Sequence, residues 1–256
     1  MNSLHKEHAT KENTKKLTER MKKLSYNSHM IGLAEKCINE LQRKGVYGVD
    51  KLIQKLLSRV TDQEAYLDIF TEGRFAIILT RLKFSKIHIE YCDKGPDIKA
   101  DWDDNTVYFE VTRSRPSEDD RAVQAAAAYV SQDSAVNIIS KIQGKTQQLQ
   151  SDEINIVVLW SDTVNLDARL VKEAFEYFKQ EIKQNPGTYK DLSAILFTEG
   201  EESFRTTLKK FYLFKNDEAS KPVSSSLAKK LESLQEQNLK KLQRVWEATA
   251  AAMKRL

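Results

Sequence analysis

Two acidic residues near the tip of a predicted β-hairpin have the types and spacing for divalent-cation chemistry. The segment GPDIKADWDDNTVYFEVTR places Asp97 at the start of one strand and Glu110 thirteen residues later on the partner strand. A hairpin with a short turn can bring the two carboxylates side by side. Carboxylates are hard ligands for Mg²⁺ or Mn²⁺, and phosphodiester hydrolysis uses such an ion to activate water and neutralise phosphate charge. Glu110 also interrupts an apolar strand, where an unpaired charge is costly.

These residues fit a known pattern. Pro96-Asp97, a hairpin and then Glu110-Val111-Thr112 resemble the PD-(D/E)XK motif of restriction-endonuclease-like nucleases. The resemblance implies a metal-dependent nuclease, a hydrolase of endonuclease type that uses Mg²⁺ or Mn²⁺. It implies that Asp97 and Glu110 are metal ligands and catalytic residues. It also implies that Val111 lends its backbone carbonyl to the metal.

The family pattern has further positions, and one of them is altered. Its motif lysine, which positions or activates the attacking water, is replaced here by Thr112. Some members take this lysine from the neighbouring helix, and Lys141 and Lys145 lie four residues apart on one predicted helix face. We rank Lys141 slightly ahead. The family often adds a glutamate from the preceding core helix, and Glu72 occupies the matching place.

Each of these side chains also has an ordinary structural interpretation. Asp97 could cap its own turn, and Glu110 could be a salt-bridged strand residue. Glu72 and the two helix lysines could be solvated residues on exposed helix faces. The hypothesis of a site therefore depends on whether the fold brings them together.

Nucleic acid is the partner that this chemistry implies, with DNA favoured over RNA. Gln147 and Gln148 follow the lysine-bearing helix and could contact phosphate, and Arg113 is a third candidate contact. The net charge of +4 is unevenly distributed: residues 1–25 carry +4 and residues 221–256 carry +5, around an acidic centre. Basic ends could add phosphate contacts that do not depend on sequence.

The periodicity predicts an α/β fold with helices on both faces of a mixed sheet, and the resemblance, over about residues 62–200, implies a restriction-endonuclease-like sheet. Helical spacing covers residues 28–59 and 62–82. Alternation in KIHIEY, DIKADW and TVYFEVTR predicts a three-stranded meander. The continuous run INIVVLW predicts a strand covered on both faces. Further predicted elements are helices at 119–130, 134–150 and 167–183 and a strand at 193–197.

The chain is predicted to contain one α/β domain with extensions. Residues 1–25 form a basic, flexible tail or frayed helix, residues 26–218 the domain, and residues 219–256 a linker and basic helix. That helix carries Leu227, Leu231, Leu234, Leu239 and Leu242, and it could dock on the core or on a partner, including a second copy.

The remaining features point to a cytoplasmic protein without a membrane partner. No apolar run approaches the roughly 20 residues that cross a bilayer, and the N-terminus lacks the apolar centre of a secretory signal. Cys37 and Cys92 have no CxxC spacing and are expected to be reduced. The alternative function, which Thr112 favours, is a catalytically inactive nuclease-like module for nucleic-acid binding or protein assembly.

Overall fold

The predicted alternation of apolar residues forms a six-stranded mixed sheet. The computed structural model describes residues 2–90, 95–114, 135–161, 168–200 and 208–234. Strand order in the sheet follows chain order. The strands are β1 Ser85–Ile89, β2 Ile98–Trp102, β3 Asn105–Arg113, β4 Ile154–Ser161, β5 Ala194–Gly200 and β6 Leu208–Lys215.

Strand directions divide the sheet into a meander and a parallel centre. Strands β1, β2 and β3 are antiparallel, and the turn between β2 and β3 holds Asp103 at a φ of 49°. Strands β3, β4 and β5 are parallel, and β6 returns antiparallel to β5. The predicted meander and the two buried strands are confirmed. The sequence analysis missed β6, although LKKFYLFK carries aromatic residues on both faces of the sheet.

Helices cover both faces of the sheet, as predicted. They are α1 Asn2–Lys23, α2 Ser28–Arg43, α3 Val49–Arg59, α4 Gln63–Arg81, α5 Ala135–Lys145, α6 Ala168–Gln184, the short α7 Pro186–Tyr189 and a helix over residues 225–234. The helix predicted at 119–130 lies outside the described residues. No helix in the described ranges is long and apolar enough to cross a membrane.

Strand β4 shows how the two faces differ. Ile156, Val158 and Trp160 pack into the core formed with α1 to α4 and the 225–234 helix. Val157 and Leu159 pack into the second core, under α5 and α6. Every residue of β4 is buried, because successive side chains enter different cores.

The two extensions are part of the fold where the structure describes them. Leu17 and Met21 of α1 are fully buried, so a helix packed on the core replaces the expected flexible tail. Leu227, Leu231 and Leu234 are buried in the same core, which shows that this segment docks on its own domain. Leu239 and Leu242 lie outside the described residues. The boundary predicted at residue 219 therefore does not separate the 225–234 helix from the core.

Candidate active site

Asp97 and Glu110 face each other across the β2–β3 hairpin. Ile98 pairs with Phe109 in the antiparallel ladder, which places Asp97 opposite Glu110 at the next position. Ile98 and Phe109 point into the core under α1 to α4, so the two acidic residues point to the other face. The backbone N–H of Val111 donates to Asp97 Oδ2 at 2.8 Å and orients that carboxylate. The register therefore places the two acidic residues directly across the hairpin from each other and on one face.

Glu110 lies in a buried position beside a cation. Glu110 is only 1% exposed. Lys145 Nζ, at the end of α5, lies 2.5 Å from Glu110 Oε1. Turned so that its amide nitrogen faces the carboxylate, Gln148 donates to the same oxygen at 2.6 Å. Burial and the nearby charge of Asp97 raise the pKa of Glu110 to about 8, against the opposing effect of Lys145. Glu110 is thus held by polar groups from a second element.

A second group of charged side chains adjoins this pair. Glu72 on α4 is buried, and Lys55 Nζ on α3 lies 3.2 and 3.3 Å from its two carboxylate oxygens. Lys55 also donates to Glu90 Oε1 at 2.7 Å. Burial, then the charge of Asp97, raises the pKa of Glu72 well above its ordinary value. Asp97, Glu72 and Lys55 line one cleft.

Lys55 and Glu90 are site residues that the sequence analysis missed. Lys55 lies on a helix remote from the motif in sequence, so no local spacing identifies it. Glu90 follows β1 and has a φ of 55°, in a region where non-glycine residues are uncommon. Its backbone N–H donates to the Asp97 carbonyl at 2.8 Å, while its carboxylate meets Lys55. The end of the predicted strand KIHIEY was the available signal for Glu90.

A cleft of about 1120 Å³ opens beside the buried carboxylate of Glu110. Its lining includes Lys55, Glu72, Glu90, Asp97, Thr112 and Lys145. Thr112 lies two residues beyond Glu110 on the same face of β3. Thr112, at the position where the resemblance to PD-(D/E)XK nucleases implies a lysine, therefore faces the cleft, whereas the ammonium group beside Glu110 comes from α5.

The structure distinguishes the two candidate lysines. Lys141 Nζ contacts Ser114 Oγ at 3.2 Å, whereas Lys145 reaches Glu110 directly. Lys145, which the sequence analysis ranked slightly below Lys141, is therefore the lysine that contacts Glu110. Both residues still line the cleft, as do the predicted contact residues Gln147 and Gln148.

Arg113 is built into the fold. Its side chain is only 1% exposed, and its guanidinium pairs with Glu64 and with Asp68, whose Oδ1 lies 3.1 Å from Nε. Both carboxylates belong to α4, so the interaction ties β3 to that helix. Arg113 also lines the cleft, and its contact with nucleic acid stays a prediction, although two carboxylates already engage its buried cation.

The donor chemistry suits a hard cation, but the carboxylates also contact lysines. Asp97, Glu110 and Glu72 offer oxygen ligands of the kind that Mg²⁺ and Mn²⁺ prefer, and Val111 lines the same cleft. Within the described part of the chain, no three His, Cys, Asp or Glu side chains are grouped closely enough to form a metal site by themselves. A metal would therefore compete with Lys55 and Lys145 for these oxygens.

The fold and the cleft define an α/β protein with a charged site at the edge of its antiparallel meander. No protein-family model, curated protein or solved structure matches the chain. The functional assignment therefore depends on the geometry of the cleft.

Proposed function

We propose that the protein is a metal-dependent nuclease with its active site in this cleft. The observation that carries the proposal is the contact of Lys145 with Glu110, directly opposite Asp97. The PD-(D/E)XK motif that this chain resembles has two acidic residues and one lysine. Here the lysine position is occupied by Thr112, which carries no charge. Lys145 supplies an ammonium group to the motif glutamate from the neighbouring helix. The β2–β3 hairpin followed by parallel β4 further supports a restriction-endonuclease-like sheet.

Each side chain has a definite role in this proposal. Asp97 and Glu110 would hold Mg²⁺ or Mn²⁺, with Val111 and Glu72 as further oxygen donors. The bound ion would supply a nucleophile at neutral pH and neutralise charge on the scissile phosphate. Val111 keeps the Asp97 carboxylate aimed at the cleft through its backbone N–H.

Lys145 acts as a cation in this scheme. Burial alone would lower its pKa, but the charges of Glu110, Asp97 and Glu72 outweigh that effect and raise the pKa. A lysine that stays protonated stabilises negative charge on phosphate and orients the attacking water.

The charge pattern around the cleft supports a polyanionic substrate. Lys55, Arg59 and Lys141 line the cleft together with Lys145. These cations can neutralise phosphates on either side of the reacting one, so binding should weaken as salt rises. DNA is the proposed substrate, with RNA as the alternative, and the site of action is proposed to be the cytoplasm.

Cleavage of plasmid and single-stranded substrates with Mn²⁺ tests the proposal. Wild type should cut at least one substrate, and Asp97→Ala and Glu110→Ala should be inactive while remaining folded by circular dichroism. Equal cleavage by all three proteins would refute the assigned site.

One observation favours a second function, a nuclease-like module without catalysis. Lys55 and Lys145 already neutralise Glu72, Glu90 and Glu110, and Thr112 occupies the position of the motif lysine. Such a module would bind nucleic acid or assemble with a protein, including a second copy, through its C-terminal segment. Absence of cleavage together with absence of Mn²⁺ binding by calorimetry would select this function.

A further inference from the structure

A second row of side chains crosses the sheet beside the acidic pair. His88 on β1 pairs with Lys99 on β2, so their side chains share one face. Tyr47 extends the row beyond the sheet edge, because its N–H donates to the Ile87 carbonyl at 2.9 Å and its carbonyl accepts from the Ile89 N–H at 3.0 Å. The Tyr47 and His88 rings lie 6.0 Å apart between centroids. This row, Tyr47, His88 and Lys99, is called the aromatic row below.

The aromatic row lies on the same face of the sheet as the proposed active site. Lys99 is two residues from Asp97 on β2, so their side chains point the same way, separated by about 7 Å along the strand. Lys99 pairs with Tyr108 at the next position of the hairpin on this face, and His88 pairs with Lys99 from β1. A chain running across this face would therefore meet Tyr47 and Asp97 within about 20 Å of each other.

Tyr47 is the most exposed large apolar side chain among the described residues. It is 60% exposed, and Leu24 at 42% is the other large hydrophobic residue exposed in the described ranges. Its backbone is fixed by two hydrogen bonds to β1, so the ring is presented from a rigid edge. Because the backbone of Tyr47 is already fixed, little conformational entropy is lost in the protein when a ligand binds to its ring.

Two lysines lie near this ring, and Asp50 lines the same pocket as Tyr47. Lys51, in the first turn of α3, is exposed, and Lys99 lies in the row itself. Burial, and then the charges of Lys51 and Lys99, lower the pKa of His88. Further along the strands, Lys86 pairs with Asp101 at 3.0 Å. An aromatic ring flanked by cations is the combination that binds single-stranded nucleic acid.

We infer that the aromatic row binds single-stranded nucleic acid, with one base stacked on Tyr47 and the backbone phosphates near Lys51 and Lys99. A duplex hides the faces of its bases, so stacking on Tyr47 requires an unpaired segment. The inference rests on the proposed function in one respect: it makes a single-stranded segment the substrate that the cleft receives. Binding itself needs no metal and no catalysis.

Fluorescence anisotropy with a labelled dT12 oligonucleotide in EDTA tests the inference. Wild type should bind dT12 more tightly than a 12-base-pair duplex. Tyr47→Ala should weaken dT12 binding by roughly tenfold or more, whereas Tyr47→Phe, which keeps the ring, should bind like wild type. Leu24→Ala is the matched control for loss of an exposed apolar side chain and should change nothing.

The charges are tested by the salt dependence of the same binding. Lys51→Ala and Lys99→Ala should each lower the slope of log K against log salt by about 0.7, whereas Lys99→Arg should restore the wild-type slope. Thermal unfolding of each variant checks that the fold is retained.

The outcomes separate this inference from the proposed nuclease function. If dT12 binding depends on Tyr47 but no substrate is cleaved, the binding role of the aromatic row is supported and the proposed nuclease function is refuted. Cleavage with equal dT12 affinity of wild type and Tyr47→Ala overturns the aromatic row alone. A dimer that depends on Tyr47, seen by sedimentation without dT12 binding, also overturns it and assigns the surface to a second copy.

Discussion

Lys145 Nζ, at the end of α5, lies 2.5 Å from Glu110 Oε1 on β3. The two residues are far apart in sequence, and α5 packs on the face of the sheet to which Glu110 points. Thr112, the position at which the resemblance to PD-(D/E)XK nucleases implies a lysine, lies two residues beyond Glu110 on the same face. The ammonium group therefore enters the site from α5, while the backbone of β3 keeps the geometry of the acidic hairpin.

Replacement of Lys145 should strongly reduce catalysis without unfolding the protein. Lys145→Ala should lower kcat by roughly a hundredfold or more, because a positioned cation no longer stabilises phosphate charge. Lys141→Ala is the matched control, one helical turn earlier, and should retain most of the activity. Single-turnover cleavage with Mn²⁺ measures both. Equal loss in the two variants would contradict a specific role for Lys145.

The position of Thr112 allows a rescue experiment. Thr112→Lys in the Lys145→Ala background should recover part of the lost activity, because a lysine at 112 faces the same cleft two residues from Glu110. The rate relative to Lys145→Ala alone is the readout. No recovery, in a variant whose Mn²⁺ affinity equals that of wild type, would show that the ammonium group must come from α5.

Arg113 should matter for stability and not for nucleic-acid binding. Arg113→Ala leaves Glu64 and Asp68 without their shared cation, and both carboxylates are only partly exposed. We expect the free energy of unfolding to fall by about 2 kcal/mol or more, measured by urea denaturation. Gln147→Ala, on the exposed rim of the cleft, should leave stability unchanged. Weaker nucleic-acid binding by Arg113→Ala at unchanged stability would contradict this role.

Cys37 should be unreactive in the native protein. Its thiol is buried on α2, and burial raises its pKa to about 12, so the reactive thiolate is scarce at any pH below that value. In a Cys92→Ser variant, a thiol reagent at pH 8 should not modify the folded protein and should modify one thiol in denaturant. Rapid reaction of the folded variant would show that α2 does not pack as described.

The sequence predicted the elements with local signals. Alternation defined the meander, and the run INIVVLW predicted a strand covered on both faces. The acidic pair was also predictable, because a short hairpin turn fixes which residues of its two strands stand opposite each other. Leu231 illustrates the limit of such signals: its helical spacing predicted docking but not whether the surface belonged to the domain or to a partner.

Features set by tertiary distance were not predictable. Lys141 and Lys145 share a helix face, so only the position of α5 against β3 decides which one reaches Glu110. Lys55 and Glu90 enter the site because α3 packs beside the end of β1, a relationship with no counterpart in local spacing. The burial of α1 was missed for the same reason. Its few apolar residues do not form a clear pattern in the sequence, and only the packing of α1 against α3 shows that they are buried.

Mn²⁺ binding by isothermal calorimetry most directly tests the claim that Asp97 and Glu110 can share one divalent ion. Asp97→Asn preserves the side-chain shape and an acceptor for the Val111 N–H, while removing one charged ligand. Asp103→Asn, at the hairpin turn, removes a carboxylate outside the site and serves as the control. We predict that wild type and Asp103→Asn bind Mn²⁺ with equal affinity and that Asp97→Asn shows no measurable binding. Equal Mn²⁺ affinity in Asp97→Asn, or no binding by wild type, would contradict a metal site at this pair.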